Sequence, residues 1–146
     1  MTVLVGVDGS PRSYAALRIG KEEASLRQTD LVAMMAYGGE GVLGAPAGRP
    51  LSTGRSDGED QALATSTLRS TLRAALGTDD GVQIHVAAGQ PGRVLVDTAR
   101  ERGAVMIVLA ARKEGAPSRL LGAVSQYVLR NAPCPVLVVP EASTAR

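Results

Sequence analysis

The chain is 146 residues long with a formal net charge of +2 and 45% hydrophobic residues, enough for one domain to bury a core without disulfides or a metal staple. Its only aromatics are Tyr14, Tyr37 and Tyr127, and its longest basic run is Arg112-Lys113. Neither the stacking platforms nor the charge footprint of a nucleic-acid binder is present. One cysteine (Cys134) and one histidine (His85) leave no internal disulfide and no zinc ligand set, and no apolar run is long enough to span a bilayer.

Thr2-Val7 (TVLVGV) is a β-branched run and reads as a buried strand. Ser10-Pro11 then signals a helix start, with Ser10 as N-cap and Pro11 at the first helical position. Ala16, Ile19, Gly20 and Ala24 share one face of that helix. Asp30-Ala36 is the second strand. Tyr37 to Gly58 holds seven glycines and two prolines and reads as a long flexible loop within a single domain covering residues 1–146. Glu59-Leu76 is a helix with Ala64, Leu68, Leu72, Ala75 and Leu76 on one face and Gly77 at its C-terminal end. Val82-Ala87 is the third strand. A helix follows from Pro91 to Arg102, closed by Gly103. Val105-Ala110 is an entirely apolar fourth strand, a helix is expected over Arg119-Arg130, and Pro135-Val139 is the last strand.

Strands alternating with helices predict an α/β fold, an open parallel sheet with helices on both faces. Ligands in such sheets lie beyond the carboxyl ends of the strands, where the strand order reverses. The candidate positions are then Asp8-Gly9-Ser10, Tyr37-Gly38, Gly89 and residues 111–118. His85 reads as a packed or edge residue, and Cys134, between two prolines, as a small half-buried hydrophobe. There is no Walker A motif and no acid/base pair at catalytic spacing, so no enzyme activity is expected. The chain opens directly into strand-like residues with no leading basic and apolar stretches, and a cytoplasmic location is expected.

Three stretches carry a family resemblance. They are VGVDGSP (residues 5–11), LLGAVSQYVLR (120–130) and APCPVLVV (132–139). With the element order between them, the chain resembles the universal stress protein family over essentially its whole length. The resemblance implies a Rossmann-like five-stranded sheet of order 3-2-1-4-5 and a homodimer in a stress-response role. It also implies one of two branches. The ATP-binding branch carries a loop of the form G-x-x-G-x9-G-[ST] after strand four, whose glycines let backbone N–H groups approach phosphate.

The chain departs from that loop at most positions. Ala110 and Lys113 stand where the first two glycines belong, eight residues rather than nine precede Gly122, and Ala123 replaces the hydroxyl residue. Lys113 puts a side chain where a phosphate would approach. Against this, Arg112, Lys113 and Arg119 are cations that can bind phosphate through side chains. Asp8 matches the position that contacts adenosine in the binding branch, and Ala36 a second contact made by backbone. Asp8 has a structural reading as well, bonding turn N–H groups ahead of Ser10.

The resemblance therefore implies a non-enzymatic stress-response module, acting by dimerisation through Val136, Leu137, Val138 and Val139 and by binding a protein partner of unknown identity, with no cofactor and no nucleic-acid or membrane partner. The alternative is an ATP- or AMP-binding sensor that uses Asp8, Ala36, Gly89, Arg112, Lys113, Gly122 and Ala123.

Overall fold

A computed structural model of the chain describes residues 1–38, 57–111 and 122–140. In chain order these form β1 (Thr2–Gly6), α1 (Arg12–Arg27), β2 (Asp30–Gly38), α2 (Asp57–Leu76), β3 (Val82–Gly89), α3 (Pro91–Arg102), β4 (Ala104–Ala110), α4 (Ala123–Asn131) and β5 (Val136–Val139). The five strands make one sheet of order β3-β2-β1-β4-β5, and every pair is parallel.

The period-2 alternation of the strands splits the core into two layers. Val3, Val5 and Val7 of the β1 segment, with Leu31, Ala33, Met35 and Tyr37 of β2, face Ala16 and Leu17 of α1 and Leu68 and Leu72 of α2. Leu4, Val32, Met34, Ile107 and Leu109 face the other way, onto Leu95, Val96 and Ala99 of α3 and Val128 of α4. A sheet buried on both faces needs apolar residues at consecutive positions, which is why β1 and β2 read as unbroken hydrophobic runs.

Several predicted boundaries shift. β2 continues past Ala36 because Tyr37 is buried and pairs with Ala88, and the strand stops only at Gly38, at a φ of 81°. β3 likewise runs on to Gly89. Tyr37 and Gly38 are thus strand residues rather than loop, and Asp57 and Gly58 belong to α2. The rest of the predicted loop, residues 39–56, lies outside the described residues. Ser10 does not cap α1 through its side chain. Pro11 holds the N-cap position, α1 begins at Arg12, and the Ser10 hydroxyl bonds Asp8 instead. α4 begins at Ala123, after Gly122 in an extended conformation, rather than at Arg119. The predicted bounds of α3 hold, with Gly103 at a φ of 60° closing it.

Candidate functional site

β1 sits between β2 and β4, and the winding direction reverses between β1 and β4. The crevice beyond their carboxyl ends is the place where this architecture receives ligands. Asp8, two residues past the end of β1, stands at that crevice.

The Asp8 carboxylate is already engaged. The Ser10 amide donates to Oδ1 at 2.8 Å, and the Ser10 and Ser13 hydroxyls donate to the same oxygen at 2.5 and 2.7 Å. Arg12 Nη2 donates to Oδ2 at 2.9 Å. Ser13 Oγ also accepts the Asp8 amide at 3.1 Å, and Arg12 Nε donates to Ser10 Oγ at 3.3 Å. Burial by itself pushes the Asp8 carboxyl up. The Ser10 and Ser13 hydroxyls, the Ser10 amide and the Arg12 charge outweigh it, and the carboxyl is held below its usual range. The Asx turn legible in Asp8-Gly9-Ser10 is there. Arg12 and Ser13, which complete the cluster, carry no motif that sequence reading would single out.

Ala36 lies two residues inside the end of β2, in register with Ala87. The Met34 carbonyl accepts Val7 N–H at 2.8 Å, so by the two-residue period the backbone groups of Ala36 also face the β1 side, beyond the last β1–β2 pair at Gly6 and Met34. That directs the Ala36 backbone toward the same end of the sheet as Asp8. Gly89 ends β3 at a φ of 132°, and a Cβ there would meet Val94 Cγ2 at 3.0 Å. The turn into α3 accounts for this glycine, and its strand is separated from β1 by β2.

Gly122 and Ala123 form the start of α4, where no side chain among the described residues caps the helix and Ala123 is exposed. Ala123 lines a groove of about 360 Å³ between the starts of α3 and α4, together with Gly92, Arg93, Val124 and Tyr127. Tyr127 packs its ring on Gly92, where an added Cβ would come within 3.0 Å of the ring. Sequence reading missed this groove, although a glycine one position into a helix is the signal for a close approach. Arg112, Lys113 and Arg119 lie outside the described residues.

The remaining singled-out residues have structural surroundings. His85 is on edge strand β3 with Arg102 Nη2 3.5 Å from Nδ1. Burial and then the Arg102 charge push its pKa down, with Glu101 opposing. Cys134 is half-buried, and burial raises its thiol against a hydrogen bond with the Ile107 backbone. Among the described residues there is no group of three or more His, Cys, Asp or Glu able to hold a metal, and no helix long and apolar enough to cross a membrane.

The model of the universal stress protein family matches residues 1–140. A universal stress protein of Mycobacterium tuberculosis is 34% identical over 145 residues, covering 97% of this chain and 46% of the relative. The chain spans about half the length of the curated relatives it matches. The solved structure of an Archaeoglobus fulgidus universal stress protein in complex with dAMP aligns with a TM-score of 0.70 at 26% identity, covering 95% of this chain and 97% of that one. A universal stress protein solved with cAMP aligns with a TM-score of 0.63 at 26% identity, covering 95% of each chain.

Proposed function

The chain belongs to the universal stress protein family, and from that premise we propose that it is a non-enzymatic stress-response module that works by dimerising and binding a protein partner, without ATP. The observation that carries this reading is the β5 edge. Pro135 and Val139 turn their carbonyls to β4, where they accept from Ile107 and Ala111 at 3.0 and 2.7 Å. By the two-residue period, Val136 and Val138 turn their N–H and C=O groups outward. They do so on a four-residue apolar strand at the end of the sheet. Such an edge invites a second chain. A second copy pairing antiparallel across a two-fold axis would close the assembly. Light scattering at micromolar concentration tests it: a mass about twice the 15.0 kDa of one chain is expected. Val138→Lys should halve that mass while the helical circular dichroism stays intact. A wild-type mass near 15.0 kDa rules the dimer out.

The reading without ATP is supported by the engaged Asp8 carboxylate and by Ala123, which brings no hydroxyl to the start of α4. A second reading, a nucleotide sensor, is favoured by the dAMP and cAMP complexes of related proteins. Thermal unfolding with and without millimolar ATP or AMP and magnesium separates the two, because a ligand of the native state raises the midpoint. No shift is expected. A robust upward shift, lost on Asp8→Ala, would establish the sensor instead.

A further inference from the structure

We propose that the outer face of α2 carries an oxyanion site, where Arg69 and Arg73 together receive the phosphoryl group of a small ligand. The site goes beyond the function proposed above and does not depend on it. α2 runs back from the carboxyl end of β2 to the amino end of β3, so its last turns lie at the opposite end of the sheet from the switch-point crevice.

A groove of about 600 Å³ follows α2, lined by Gln61, Ala62, Thr65, Ser66, Arg69 and Arg73. Gln61, Thr65, Arg69 and Arg73 recur every four residues and share one side of the helix. Among the described residues, the two arginines are the only ionisable side chains that line the groove. Both guanidiniums turn to one atom: Arg69 Nη1 lies 3.1 Å and Arg73 Nη2 3.4 Å from Asp79 Oδ2. A guanidinium has five N–H donors, and neither arginine makes a further hydrogen bond among the described residues. Their side chains are 49% and 59% exposed. The negative end of the helix dipole accounts for a cation at Arg73, in the last turn of α2. It does not account for Arg69, one turn earlier, because like charges at that spacing repel. One carboxylate serves two cations, and one positive charge is left over at the groove.

The donors select the ligand. Asp79 meets both guanidiniums through a single oxygen, so each fork has one bond where it can make two. A phosphoryl group offers three acceptor oxygens and about twice the charge of a carboxylate, and can accept from both forks at once. Beyond the arginines the groove is polar and uncharged. The Thr65 hydroxyl donates to the Gln61 carbonyl at 2.9 Å, which leaves its oxygen as an acceptor. The Ser66 hydroxyl and the Gln61 side-chain amide make no hydrogen bond among the described residues. These groups match the hydroxyls of a phosphate ester lying along the helix. Inorganic phosphate shares the oxyanion chemistry and lacks that body.

Calorimetric titration of the full chain with inorganic phosphate, glucose 6-phosphate and acetate tests the site, at constant ionic strength so that general screening cancels. The wild type should bind both phosphates saturably and acetate more weakly. Arg69→Gln and Arg73→Gln should each weaken both phosphates at least about tenfold, the factor set by one charged hydrogen bond. Both side chains are exposed, so these variants should keep the wild-type circular dichroism. Asp79→Asn keeps an acceptor oxygen and removes the competing charge, and should tighten both phosphates. Tighter binding of glucose 6-phosphate than of phosphate, lost in Ser66→Ala, identifies a phosphate ester, and equal affinity identifies free phosphate. No saturable binding of either, acetate binding as tightly, or affinities that the arginine and Asp79 variants leave unmoved each overturns the site. So does phosphate binding that Asp8→Ala abolishes and the arginine variants keep, which places the anion at the crevice. A dimer that fails to form overturns the proposed function and leaves this titration to be read on its own.

Discussion

Gly20 sits where α1 crosses β1, and a Cβ added there would run into Val5 Cγ2, with Leu31 Cδ1 at 3.5 Å behind it. Both neighbours belong to the buried layer under α1, so neither can withdraw without opening a void. Gly20→Ala should destabilise the fold by about 1–3 kcal/mol, the range for overpacking a tight contact, despite alanine's better helix propensity. Urea unfolding checks it. Asp8 gives a prediction in pH. Its folded pKa lies below the unfolded value, so its contribution is complete above the unfolded pKa of about 3.8 and is lost as pH falls through the folded value. The stability gap between wild type and Asp8→Asn should therefore be flat at neutral pH and narrow in acid. A gap that holds constant to the acid limit would mean that the carboxylate charge does not stabilise the turn. At this scale the sequence is half legible. Asp8-Gly9-Ser10 announces its own turn, but Arg12 looks like any solvated helix residue until the turn brings it onto Oδ2.

The helices differ in how plainly the sequence marks them. α3 is readable at both ends because Pro91 can only start a helix and Gly103 supplies the left-handed residue that ends it. α4 is not, because the apolar residue Leu121 continues the helical spacing of Val124 and Val128 upstream of its true start at Ala123. Periodicity cannot see a cap made by an extended backbone at Gly122. The start of α1 departs from expectation for a related reason. Ser10 has one hydroxyl proton, and Asp8, an ionised acceptor two residues away, takes it. The α3–α4 pair offers a test at this scale. Tyr127 lies on Gly92, and a Cβ added to Gly92 would stand 3.0–3.3 Å from the Tyr127 ring and Cβ atoms, so Gly92→Ala must lift the ring. A loss of about 1 kcal/mol is expected, and the same change in a Tyr127→Ala background should cost less, as a double-mutant cycle would show. Equal costs in the two backgrounds would place the strain elsewhere.

Across the molecule, the fold is legible because alternation and topology constrain each other. Five apolar runs interleaved with helices admit few arrangements once crossovers must be right-handed, and the family resemblance selects the order that the sheet has. The site is less legible, because what matters there is which acceptors are already occupied, and occupancy is a tertiary property. The same sheet order leaves β5 at an edge with Val136 and Val138 turned outward, and the proposed dimer follows from that edge. Amide hydrogen exchange at Val136 and Val138 tests it most directly. Pairing with a second copy predicts that both amides are protected, like Leu137 and Val139, and that their protection deepens as protein concentration rises. Free exchange at Val136 and Val138 beside protected neighbours, unchanged with concentration, would contradict the account.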